Sequence, residues 1–164
     1  MEPQWLEHTR NICNEFQANQ GRWPIASWSN GRPRYLFNET GEDWSQLLEH
    51  VKDPLSWMQI EQTLDIKMQF SSASLWCDKT GFGSLMPHRE TGGDSMAQIY
   101  ITNQPHDWSG TTVYNEEQQI LFQMPYRDNY SWFFDDGKTV MHGRHHDVPP
   151  GIDRFTLQIW WNRL

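Results

Sequence analysis

Residues Arg154 to Trp161 alternate without a break. Arg154, Thr156, Gln158 and Trp160 fall on one side, and Phe155, Leu157, Ile159 and Trp161 on the other. Successive strand side chains point to opposite faces, so this segment is a strand with one apolar face and one mixed face. The apolar set is ordinary core. The mixed set places a guanidinium beside a hydroxyl, and burying an arginine costs free energy unless something anionic meets it. Just upstream, Lys138-Thr-Val-Met-His142 reads as another strand that His142 closes, and Pro149-Pro-Gly151 turns the chain between the two. A histidine closing one strand and an arginine opening the next form one half of a site.

The chain has 164 residues. It is expected to be one domain, residues 1–164, with a core that needs no covalent staples. No apolar run reaches the roughly 18 residues of a membrane helix, and Met1-Glu-Pro-Gln-Trp5 does not resemble a signal peptide, so a cytoplasmic protein with no membrane contact is expected. Cys13 and Cys77 stand in no metal-ligand spacing and are expected to be free thiols. With 13 Lys plus Arg against 21 Asp plus Glu, the net charge is −8. Such a surface repels phosphate backbones, which argues against duplex nucleic acid as a partner. Of the ten tryptophans, most are expected in the core, while Trp76, Trp108 and Trp132 are candidates to line a pocket for a small-molecule or peptide substrate.

In chain order, Pro3 to Gln20 has the spacing of a helix, with Trp5, Leu6, Ile12, Cys13 and Phe16 near one face and Gly21 ending it. Trp23 to Asn38 is broken by Pro24, Gly31 and Pro33 and reads as a hairpin or edge strand pair. Glu42 to Val51 is helical, Asp53-Pro54 breaks it, and Leu55 to Thr63 forms another turn or two. From Asp65 the period changes to two. Ile66–Trp76, Ser84–Glu90, Ser95–Asn103, Thr111–Tyr114, Gln119–Gln123 and Tyr130–Phe134 are short strands at fairly regular spacing, the rhythm of a sandwich or barrel. The expected fold class is mainly β (α+β), a jelly roll in which residues 1–64 supply helical and hairpin support to a β core at 65–164.

His88-Arg-Glu90 supplies the other half of the site. Residues two apart on a strand share a face, so an imidazole and a carboxylate aim at one point, and His142 arrives from a later strand. Two histidines and one carboxylate make the facial triad of non-haem Fe(II) oxygenases, which leaves coordination positions open. Asp94 is a rival carboxylate in a loop after Gly92-Gly93. His145 and His146 are rivals for the distal position. His8, His50 and His106 have no partners in sequence and read as surface residues.

With these residues in place, the sequence from 84 to 161 resembles the double-stranded β-helix (jelly roll, cupin-like) core of the Fe(II)/2-oxoglutarate-dependent oxygenases, nearest in pattern to the prolyl 4-hydroxylase-like branch. The matching stretches are His88-Arg-Glu90, Ile99-Tyr-Ile-Thr-Asn103, Ser109-Gly-Thr-Thr-Val-Tyr114, Phe133 to His142 and Arg154-Phe-Thr156. Glu90 stands where aspartate is commoner, Ser109 replaces a glycine, and the spacing from His142 to Arg154 is longer than usual. The resemblance implies Fe(II) on His88, Glu90 and His142. It implies 2-oxoglutarate held by Arg154 with Thr156 and Tyr100, and a reaction that consumes O2, releases succinate and CO2, and hydroxylates an unactivated C–H bond of an amino-acid, peptidyl or small-metabolite substrate. A carboxylate at position 90 argues against halogenation. Two other readings compete: a cupin-like metalloenzyme without 2-oxoglutarate, and a non-catalytic jelly-roll binding module.

Overall fold

The computed structural model describes residues 3–18, 23–37, 42–90, 94–136 and 138–164. The first helix, α1 (Pro3–Ala18), buries Leu6, Thr9, Ile12, Cys13 and Phe16 along one stripe. Its expected end at Gln20-Gly21 lies outside the described residues, as do Asn38 and the Gly92-Gly93 pair. Strands β1 (Ile25–Ser29) and β2 (Arg32–Phe37) form the expected hairpin. Their turn is Asn30-Gly31, with φ of 52° and 66°. A two-residue turn with both central φ positive matches the right-handed strand twist, and asparagine followed by glycine tolerates it best.

Helix α2 (Glu42–Lys52) buries Trp44, Leu47 and Val51 and carries acids in its first turn and His50 and Lys52 in its last, each the sign that the helix dipole favours. Asp53 caps a 3-10 turn, Pro54–Ser56, by accepting from Leu55 N at 3.0 Å. Helix α3 (Met58–Leu64) ends where Asp65 takes a left-handed conformation. Among the described residues no helix is long and apolar enough to cross a membrane.

Eight further strands follow: β3 (Met68–Asp78), β4 (Leu85–His88), β5 (Ser95–Ile101), β6 (Thr112–Tyr114), β7 (Ile120–Gln123), β8 (Ser131–Phe134), β9 (Met141–Arg144) and β10 (Arg154–Arg163). They form two antiparallel sheets, a six-stranded one in the order β1-β2-β3-β10-β5-β8 and a four-stranded one in the order β4-β9-β6-β7. Sheets facing each other in this way make the mainly β, jelly-roll architecture that the strand rhythm implied.

Strand β10 lies between β3 and β5, and its alternation sorts the interior. Phe155, Leu157, Ile159 and Trp161 pack with Leu75, Cys77, Ile99 and Ile101 beneath α1 and α2. The other face looks toward the small sheet. There Arg154 stands beside Asp78, Thr156 between Trp76 and Tyr100, and Gln158 between Ser74 and Gln98. Apolar side chains close the two ends of this second layer: Phe82, Tyr126 and Val148 at one, Met96, Phe134 and Trp160 at the other.

Two strands differ from expectation: β4 stops at His88, so Glu90 follows the strand instead of ending it, and β9 starts late. Residues 138–140 are not the start of β9. Asp136 holds them in a turn, accepting from Lys138 N at 3.1 Å with its side chain and from Thr139 N at 3.2 Å with its carbonyl. The strand therefore begins at Met141, so His142 lies inside it and Arg144, within the long spacing from His142 to Arg154, ends it.

Gly143 sets how closely β9 approaches β4. A Cβ there would sit 2.5 Å from Leu85 O and 2.9 Å from Met86 O, both backbone atoms that cannot swing aside. Gly143→Ala is expected to push β4 off β9 and to destabilise the fold by about 1–3 kcal/mol, as overpacking does, lowering Tm by several degrees in a thermal melt. An unchanged Tm would mean that the two strands separate freely.

Candidate active site

The pairing of β4 with β9 sets His88 directly opposite His142, with ring centroids 4.7 Å apart. Glu90, just beyond the end of β4, turns its carboxylate to the same point. Its Oε1 lies 3.0 Å from His142 Nε2 and 3.8 Å from His88 Nε2. One ligand atom from each of the three residues lies within 4.8 Å of the others. Both rings are held from behind. His88 Nδ1 lies 2.9 Å from Met86 O and His142 Nδ1 3.2 Å from Val140 O.

The His142 imidazole thus has an oxygen within hydrogen-bond reach of both nitrogens, whereas a neutral ring carries a single N–H; the Nε2 of His88 faces the same carboxylate at 3.8 Å. If Nδ1–H donates to the carbonyl, the lone pair of Nε2 faces the carboxylate, an arrangement that a cation between them relieves. Burial opposes the charge on Glu90, but its contacts with His142 and His88 outweigh that and hold its carboxyl at about 2. Beside it, the His88 imidazole is pushed upward, chiefly by the Glu90 carboxylate.

The rival residues lie elsewhere. Asp94 pairs with Lys138 and accepts from Arg163 N at 3.0 Å, and it is not among the ligand atoms that cluster at the triad. His145 and His146 are exposed, ring against ring at 4.7 Å. The other histidines are half-buried, and each has a neighbour: His8 meets Asp43 at 2.8 Å, His50 stacks on Trp5 at 4.3 Å, and His106 lies 3.2 Å from the Ser109 hydroxyl.

Across the large sheet, Arg34 of β2, Asp78 of β3 and Arg154 of β10 stand in one row. Asp78 is fully buried. It receives two hydrogen bonds from Arg34, one from Arg144 at 2.5 Å and one from Arg154 at 3.2 Å. Burial opposes its charge, yet the guanidiniums of Arg34 and Arg144 outweigh this and hold its carboxyl well below the usual carboxylate range. Arg144, with no exposed surface, also donates to His146 O, Phe82 O and Gly83 O. Burial lowers its own value to about 10 against the attraction of Asp78.

Arg154 donates to Ser109 O at 2.6 Å and lies 5.2 Å over the Tyr100 ring. Beside it, Thr156 Oγ1 is buried and has no hydrogen-bond partner among the described residues. A cavity of about 340 Å³ joins the triad to this cationic row and is also lined by Trp76, Gln98, Thr156 and Gln158. Tyr100 shares the row with Thr156 but does not line the cavity. Its hydroxyl donates to Thr111 Oγ1 at 2.9 Å and accepts from Thr111 N at 2.7 Å. Trp132 reaches Gln98 with its indole N–H, and Trp108 is exposed.

Asp78, Arg34 and Arg144 were missed from sequence. Arg144 had a signal, since it lies two residues from His142 and so shares its face of a strand. The other two carried none, because only the pairing register brings positions 34, 78 and 154 together.

No family model matches the sequence, and no curated protein matches it. Solved structures do match in fold. A prolyl-4-hydroxylase from Pseudomonas putida superposes with a TM-score of 0.65 at 16% identity, over 100% of this chain and 89% of that one. HygX from Streptomyces hygroscopicus, with nickel and 2-oxoglutarate bound, gives 0.60 at 11% identity over 98% and 79%. A Trichoplax adhaerens prolyl hydroxylase in complex with a hypoxia-inducible-factor peptide gives 0.66 at 10% over 98% and 79%. The architecture is the jelly roll that these 2-oxoglutarate/Fe(II) oxygenases share.

Removing one partner from a buried ion pair costs about 3–5 kcal/mol, because the others keep an uncompensated charge. Asp78→Asn is therefore expected to lower unfolding free energy by about that amount at pH 7, measured by denaturant titration. The Asp78 carboxyl is depressed in the folded state, so its contribution is present above an unfolded value of about 3.9 and is lost as pH falls toward the folded one. The gap between the two proteins should narrow below about pH 4. An equal gap at pH 7 and pH 3 would contradict this.

Proposed function

We propose that this chain is an Fe(II)/2-oxoglutarate-dependent oxygenase that hydroxylates an unactivated C–H bond of an amino-acid, peptidyl or small-metabolite substrate. The carrying observation is that one cavity joins the His88–Glu90–His142 triad to the buried Arg154–Thr156 face. In this reading the triad holds iron, and Arg154 with Thr156 receives the far carboxylate of 2-oxoglutarate. The residues fit both groups. Two imidazoles and a carboxylate converge on one point, a donor set that favours a cation, and a guanidinium with an unpartnered hydroxyl beside it favours a carboxylate. The chemistry such a set supplies is oxidative: O2 and 2-oxoglutarate are consumed, succinate and CO2 released, and a hydroxyl inserted.

The chain's own part is placement. The backbone carbonyls of Met86 and Val140 fix the tautomer and aim of the two imidazoles. Ser109 O and Asp78 hold the Arg154 fork so that it does not need to be ordered when a carboxylate arrives. Tyr100, bonded to Thr111 beneath Arg154, supports that fork instead of touching the co-substrate. The buried Arg154–Thr156 face favours this reading over a cupin-like enzyme without 2-oxoglutarate, which has no use for it. The triad favours it over a non-catalytic module.

Adding Fe(II) and 2-oxoglutarate anaerobically should produce a weak visible charge-transfer band. Glu90→Ala and His142→Gln should abolish it along with succinate release. His145→Gln, His146→Gln and Asp94→Asn should retain both. Loss of the band in either exposed-histidine variant, with His142→Gln intact, would move the distal ligand into the 143–146 segment.

For Arg154→Ala the 2-oxoglutarate dissociation constant should rise about thirtyfold or more, equivalent to about 2 kcal/mol, while Fe(II) affinity is kept. An unchanged constant would remove Arg154 from the co-substrate site.

A further inference from the structure

The cavity carries more positive charge than iron and 2-oxoglutarate account for. Three guanidiniums, those of Arg34, Arg144 and Arg154, face two carboxylates, those of Asp78 and Glu90. One positive charge is left over. A divalent metal raises the surplus to three, and a co-substrate dianion brings it back to one. A buried cationic surplus is costly unless an anion meets it.

The three arginines are not equally able to receive one. Arg144 has no exposed surface and spends its donors on Asp78 and the carbonyls of Phe82, Gly83 and His146. Arg154 lies deep, beside the unpartnered Thr156 hydroxyl, where the co-substrate carboxylate belongs. Arg34 differs. It lines the cavity, its side chain is 19% exposed, and Asp78 takes only Nε and Nη2, leaving Nη1 without a bond to Asp78. Its guanidinium lies 5.1 Å over the Trp76 ring and 5.4 Å over that of Phe82, which hold it as a rigid plane. Arg34 lines the same cavity as His88, Glu90 and His142.

We propose that Arg34 anchors an anionic group, a carboxylate or a phosphate, on the substrate that this site oxidises, so that the substrate class is small organic acids or phosphate esters. This rests on the oxygenase reading and deepens it. The cavity volume of about 340 Å³ agrees with a small substrate. It is near the low end of the range for ligand pockets, and the co-substrate takes a share of it.

The test follows the 15N resonance of the Arg34 side-chain Nε–H, assigned by its loss in Arg34→Lys. Acetate and inorganic phosphate are titrated separately, at constant ionic strength held with chloride, into protein with and without Zn(II) and 2-oxoglutarate. The expected result is a saturable shift with acetate or phosphate, with chloride inert. The stronger of the two tells a carboxylate from a phosphate. Arg34→Lys, which keeps a charge beside Asp78 but lacks the fork, should bind the same anion at least tenfold more weakly, read from other resonances lining the cavity. No saturable shift with either anion would overturn the proposal. So would disappearance of the shift once Zn(II) and 2-oxoglutarate are bound, which would place Arg34 in the co-substrate site. If wild-type protein failed to bind 2-oxoglutarate but still showed the shift without metal, the oxygenase reading would fall and the anion site would stand.

Discussion

One carboxylate organises the interior. Asp78 is fully buried, yet it stays charged because guanidiniums from three different strands converge on it. Arg34 comes from the N-terminal hairpin, Arg144 from the small sheet and Arg154 from the central strand of the large one. The ion cluster therefore ties the small sheet to the large one and pins the hairpin and the central strand to β3 between them. A hydrophobic replacement could pack as well and would lack the directional preference, since each fork satisfies Asp78 in only one register. This cost in desolvation also leaves a cavity with surplus positive charge inside a chain whose net charge is −8. Repulsion over the outer surface and attraction within the cleft make the site selective about where an anion can settle.

The triad is built from the opposite layer with different physics. Its histidines sit on β4 and β9, brought to close approach by the missing side chain at Gly143, and each ring is fixed by a carbonyl two residues earlier in its own chain. Local backbone geometry aims the imidazoles, and long-range pairing aims the arginines. The two halves meet only because the sheets face each other across Thr156, Gln158 and Gln98. Polar side chains there keep the space between two apolar clusters open.

Much of this was legible in the sequence. The alternation from Arg154 to Trp161 identified the strand and assigned its two faces, and His88-x-Glu90 with a distal histidine named the triad that the structure brings together. The misses have physical causes. β-branched Thr139 and Val140 suggested a strand, but Asp136 captured their amides in a turn, which moved the strand forward and hid Arg144 among apparent loop residues. Tyr100 was placed on the correct face, yet nothing in the sequence shows that its hydroxyl is taken up by Thr111. Arg34 and Asp78 are 44 residues apart and were invisible as a pair, because register across strands is a property of the assembled sheet.

The place of β10 in its sheet has a consequence for how the chain is made. It is the strand latest in chain order, yet it lies between β3 and β5, so both must wait for it with their inner edges bare. During synthesis the hairpin and β3 can associate early, and with them Arg34 and Asp78. Arg154 arrives only when the ribosome has nearly finished the described chain. For that interval two long strands present open hydrogen-bonding edges, the state in which chains most readily stick to one another. Filling the gap between β3 and β5 with β10 removes both open edges at once.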